Sequence, residues 1–109
     1  LHDFATKKSP ILNLRGYAGG QPGSVTDAGA TAKQAEAVAK AMAYASTRAA
    51  DHWIGEWRIP PAACGIKPDT AKLAFNVNVR RMADNSWMVW QTTGGPVWDV
   101  DYAGVLLLK

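Results

Sequence analysis

Few residues in this chain are of a type and spacing that could do chemistry. Glu56 stands alone between Ile54-Gly55 and Trp57. A single carboxylate could act as a general acid, but glycoside hydrolysis usually needs two carboxyl groups placed across one sugar. Asp99 and Asp101 flank Val100, so in an extended stretch they fall on one side. They form a candidate pair for calcium, which asks for six to eight oxygens. Two carboxylates fall well short, and turn formation is the competing reading. His2 and His52 are far apart, and no Ser-His-Asp order or phosphate-cradling glycine motif is present. Cys64 is the single cysteine, which excludes an intrachain disulfide and a thiolate zinc site, and it reads as a small buried apolar residue. The sequence therefore predicts no catalysis and no bound cofactor.

The remaining chemistry is aromatic. Five Trp in 109 residues is a high count. An indole offers a broad apolar face and one N–H donor, suiting a core or a sugar-stacking surface equally. Trp98 follows Gly94-Gly95-Pro96-Val97 and precedes Asp99, in a loop rather than an alternating strand. An indole there could carry the CH face of a pyranose while nearby polar groups bind the hydroxyls, or it could pack the loop onto a sheet rim. Trp53, Trp57 and Trp90 fall within strand-like segments, where packing is the expectation, and Trp87 starts a strand after a turn, a position open to exposure.

These residues need positioning elements, and the C-terminal half supplies strand patterns. Trp53–Ile59 alternates and stops at Pro60-Pro61. Leu73–Arg80 alternates most clearly, with Leu73, Phe75, Val77 and Val79 on one face and Asn76, Asn78 and Arg80 on the other. Asp84-Asn85 predicts a turn, Trp87–Gln91 a further strand, and Val105–Leu108 a final buried strand. Nearer the start, Ile11–Tyr17 reads as a strand and residues 18–30 as a long Gly-, Pro- and Ser-containing loop. Ala, Gln, Glu and Lys from residue 31 onward favour helix, with Thr31 as its cap and Glu36–Lys40 as a supporting pair. Propensity alone carries that helix to Arg48.

Composition bounds the rest. At 48% hydrophobic and 19% charged, the chain reads as one ordinary globular domain with a modest core. The net charge of +3 comes from scattered Lys and Arg, whereas a nucleic-acid footprint needs a clustered stripe. No apolar run is long enough to span a membrane and no signal peptide is visible. The start at Leu1, without Met, reads as a processed or truncated product.

Three segments in order resemble a known family: Trp53-Ile54-Gly55-Glu56-Trp57-Arg58-Ile59-Pro60, then Leu73–Arg81, then Trp90–Asp99 with Tyr102-Ala103-Gly104-Val105-Leu106. They are similar to the C-terminal part of family 9 carbohydrate-binding modules and their DOMON-like relatives. Those domains show a W-x-x-E-x-x-I-P strand, a strand carrying Phe-Asn with a later Arg, and a Trp-to-Gly segment leading to F-G-x-L. Here Tyr102-Ala103-Gly104-Val105-Leu106 departs from that last motif by an extra residue before the glycine. The resemblance implies a mainly β fold: an antiparallel β-sandwich of the jelly-roll or DOMON type, partial here, with one short Ala-rich helix. It shortens the helix to roughly 31–39 and makes Lys40–Thr47 a strand, turned through Ala49–His52 onto the next one.

The same resemblance implies non-catalytic binding of a polysaccharide or oligosaccharide, as part of a larger secreted or cell-surface protein. The family sandwiches a sugar between two aromatic side chains, and Trp98 matches the C-terminal one while the other wall has no counterpart here. Arg15 is similar to a family arginine that donates to sugar hydroxyls, and Asn78 and Gln91 are further candidate donors. Two alternatives stay open. In one, the chain is an assembly subunit whose half-sandwich is completed by strands from another chain. In the other it is a haem-binding DOMON relative with Met82, Met88 or His52 as axial ligands.

Overall fold

Local sequence decides where the helix starts. In the computed structural model, which describes residues 2–3, 11–92 and 102–109, Thr31 closes a capping box: its hydroxyl accepts from the Gln34 amide, and the Gln34 side chain accepts from the Thr31 amide. Such a cap is worth about 1 kcal/mol. The helix α1 spans Ala32–Ala41 and carries the Glu36–Lys40 ion pair at 2.7 Å. It stops where Met42 turns extended, at φ −77° and ψ 151°. The chain is mainly strand, all of it in antiparallel sheets, with this one short α-helix among the described residues. It forms two compact units, Pro10–Asp69 and Leu1–Ser9 with Thr70–Lys109.

In the first unit, β2 (Asn13–Gly16) pairs with β3 (Pro22–Val25), β1 being His2–Asp3 of the other unit. This corrects the reading of 18–30 as one loop. Pro22 and Gly23 are poor strand formers, but Pro22 is the first residue of its strand, where a missing N–H costs little. A turn closes the hairpin through Tyr17 and Gln21, with Gly20 at φ 90°, a conformation glycine adopts without strain. After α1 come β4 (Ala43–Arg48) and β5 (Trp53–Arg58), paired along their full lengths with Tyr44 opposite Trp57. Their turn is closed by the Ala49 amide donating to the His52 carbonyl at 2.8 Å. Helix therefore gives way to strand as the resemblance implies: six residues of ladder outweigh the helix propensity of Ala43 and Ala45.

The core of this unit is Leu12, Ala30, Val38 and Met42, with Leu14, Ala39 and Cys64 packed against it. Val38 is fully buried. Cys64 ends a 3-10 turn, Pro61–Cys64, and burial pushes its thiol pKa above the ordinary value. The β2–β3 hairpin lies against the β4–β5 hairpin. The Tyr44 hydroxyl donates to the Tyr17 carbonyl and the Ser46 hydroxyl to the Ala18 carbonyl, each at 3.0 Å.

In the second unit, β6 (Lys72–Phe75) is the middle strand of a sheet ordered β1-β6-β9, β9 being Gly104–Leu107. The long strand expected over Leu73–Arg80 is two strands, β6 and β7 (Asn78–Arg81), broken at Asn76-Val77. Asn76 makes the break. Its amide NH2 donates to the Gln91 carbonyl at 2.9 Å, while its side-chain oxygen accepts from the Gln91 and Val77 amides at 3.1 and 2.9 Å. A side chain standing in for a ladder partner ends the ladder there. β7 pairs with β8 (Ser86–Val89) across the Asp84-Asn85 turn, where Asn85 adopts φ 54°. The last strand is not the buried one expected: Val105 and Leu107 are exposed, because alternation turns only Gly104 and Leu106 inward.

The β7–β8 turn carries a pH-sensitive contact. Arg81 holds Asp84 in an ion pair, and the Ser86 amide also donates to the carboxylate. The Arg81 hydrogen bond foremost, then Ser86, lowers the Asp84 pKa from its ordinary 3.8 to about 2. A depressed carboxyl pKa contributes stability that is complete above the unfolded value and lost as pH falls through the folded one. The turn should therefore weaken between about pH 4 and pH 2. An NMR titration should find the Asp84 carboxyl midpoint near 2, and Asp84→Asn should remove this part of the acid dependence; a midpoint near 4 would contradict the pairing.

Candidate functional site

Strand register in β7–β8 assembles one surface. Asn78 lies opposite Val89 and Arg80 opposite Trp87, and alternation puts these four side chains on one face of the hairpin. Trp87 is 55% exposed. The Arg80 guanidinium sits 5.5 Å from the indole centroid, within cation–π range. Its Nε donates to the Asn85 side-chain oxygen at 2.9 Å, so the turn residue in the left-handed conformation holds the guanidinium in place. Arg81 and Asp84 compensate each other at the same turn. The result is a half-exposed indole with an oriented cation over its ring and an amide side chain on the same strand face. It can carry a flat ligand with an apolar face and peripheral oxygens.

The residues singled out in the sequence fall in different places. Trp98, with Asp99 and Asp101, lies outside the described residues. Arg15, in the first unit, pairs with Asp27 at 2.8 Å, and both are exposed. Asp27 lines an open groove of about 430 Å3 between β3 and α1, together with Ser24, Thr26, Ala35 and Glu36. The groove's two carboxylates are taken up, Asp27 by Arg15 and Glu36 by Lys40. Asn78 and Gln91 belong to the second unit. Asn78 is half-buried on the Trp87 face, and Gln91 is exposed beyond the end of β8, its backbone clamped by Asn76.

The sequence leaves Trp87 open to exposure but does not join it to Arg80. The register is set by the four-residue loop Met82–Asn85; a turn centred on Asp84-Asn85 alone would put Arg80 across from Val89, so the expected turn did not reveal the pair. Two other indoles make ring contacts while staying partly open, Trp57 at 39% and Trp90 at 56% exposed. Trp57 stacks on Tyr44 with centroids 4.5 Å apart, and Trp90 meets Phe75 at 6.1 Å while its ring covers Gly104. Glu56 lies on the face of β5 opposite Trp53 and Trp57. His52 bonds Asp51 at 2.7 Å, and Met82 and Met88 are exposed. Among the described residues no three His, Cys, Asp or Glu side chains gather as metal ligands. None of their helices is long and apolar enough to cross a membrane. Comparison with protein-family models, curated proteins and solved structures found no match to the chain.

Proposed function

We propose that the chain is a non-catalytic carbohydrate-binding module of the partial sandwich type its sequence resembles, working as part of a larger secreted or cell-surface protein. The observation that carries this reading is the exposed Trp87 ring flanked by Arg80 and Asn78 on one strand face. A pyranose would lay its CH face on the indole, releasing water from both, while Asn78 and Arg80 donate to hydroxyl oxygens. Trp98 and Gln91 remain further contacts implied by the resemblance, as does Arg15 on its own unit, where it pairs with Asp27. One aromatic platform is worth about 1.4 kcal/mol, so affinity for a soluble oligosaccharide is modest and its loss costs about tenfold. Isothermal titration with soluble oligosaccharides should show Trp87→Ala weakening binding by about that factor, and Trp98→Ala adding to it. Full binding by the double variant would overturn the stacking mechanism.

A second reading, as an assembly subunit completed by another chain, draws support from β9. Among the described residues this strand is at the end of the β1-β6-β9 order, and Val105 and Leu107 are both exposed on it. An apolar edge strand is a template for pairing. Sedimentation should then show concentration-dependent association that Val105→Lys with Leu107→Lys abolishes; a monomer at every concentration removes this reading.

A further inference from the structure

The cation beside Trp87 points to the kind of sugar. We propose, resting on the carbohydrate-binding reading above, that the β7–β8 face selects an acidic sugar, a hexuronate whose carboxylate is taken by Arg80 while its ring stacks on Trp87. Arg80 is oriented before any ligand arrives: Asn85 accepts from Nε, and the guanidinium lies over the Trp87 ring, 5.5 Å from its centroid. That contact uses one donor of the fork and leaves the four Nη hydrogens to bind a planar, bidentate acceptor. Among the described residues no carboxylate pairs with Arg80, and Asp84, the acidic residue at the same turn, is held by Arg81. Among the described residues the strand face therefore carries a positive charge without a carboxylate partner, over a half-exposed indole. A neutral pyranose uses the platform and leaves the charge unanswered, whereas a uronate uses both. Carboxylate suits the fork better than a tetrahedral sulfate ester, because guanidinium and carboxylate are both planar.

The test compares three soluble probes on the full chain: a galacturonate hexamer, its methyl ester of nearly the same shape without the charge, and a sulfated cello-oligosaccharide. The acid should bind about tenfold tighter than its ester, and added salt should erode that advantage. Arg80→Gln should bring acid and ester level, and Arg80→Lys should restore only part of the difference, since it returns the charge without the fork. Asn85→Gly, which keeps the left-handed turn but frees Nε, should narrow the difference with the fold intact by circular dichroism. Equal binding of acid and ester, both weakened by Trp87→Ala, would overturn the acidic preference and leave the sugar-binding reading standing. Sulfated sugar bound as tightly as the uronate would overturn the choice of carboxylate. Binding of none of the probes would overturn both readings.

Discussion

Leu73→Ala should lower the stability of the second unit by about 3 kcal/mol, read as a lower urea midpoint at an unchanged slope. Leu73 is 4% exposed in the middle strand of the β1-β6-β9 sheet, with Asp3 and Leu106 as its neighbours across the two ladders. Ala74, the next residue, is 2% exposed on the other side of the strand. A central strand buried on both sides has little freedom to collapse into a cavity, so the lost transfer energy and the void are both felt. Leu107→Ala on β9 is the control. Leu107 is 67% exposed, and its truncation should stay within about 0.5 kcal/mol. Equal effects at the two positions would mean that β6 is not the core strand of its unit.

Gly16→Ala should cost the first unit about 2–3 kcal/mol, although it adds only one methyl group. A Cβ at Gly16 would stand 2.4 Å from Trp57 Cζ2 and 2.5 Å from Tyr44 Cε2. Those rings stack on each other, and Tyr44 is tied by its hydroxyl to the Tyr17 carbonyl, so they cannot yield separately. The methyl group must lift the end of β2 off the β4–β5 hairpin, and the Tyr44 and Ser46 hydrogen bonds go with it. Gly23→Ala, in the paired strand, supplies the contrast. Its Cβ would meet nothing nearer than Arg15 Cβ at 3.9 Å, an ordinary contact. That substitution should be neutral or slightly stabilising, since it removes only unfolded-state freedom. Matching thermal shifts for the two variants would show that Gly16 is there for backbone freedom and not for close approach.

Gly16 also shows why part of the site stayed hidden in the sequence. Its role comes from two rings that lie 28 and 41 positions along the chain, which no local pattern reports. Trp87 and Arg80 are nearer, yet their partnership depends on register. Shifting the β7–β8 pairing by one residue would send the indole to the other face. Trp57 meets Tyr44 from within β5, whereas Trp90 lies past the end of β8 and stays 56% exposed despite its contact with Phe75, so the packing expected of a strand tryptophan is only partly met there.

Local chemistry alone determined the start of α1 at Thr31, since a cap and its box are satisfied within four residues. It likewise determined the Trp53–Arg58 strand ahead of Pro60-Pro61 and the turn at Asp84-Asn85. The end of the helix at Ala41 was settled by the β5 ladder, the pairing of Pro22–Val25 by β2, and the break at Asn76 by a hydrogen bond to Gln91 fifteen residues away. Tertiary structure also decided which indole faces solvent beside a cation. Propensity and alternation act over a few residues, whereas a ladder, a close ring contact or a cross-strand pair exists only once distant segments meet.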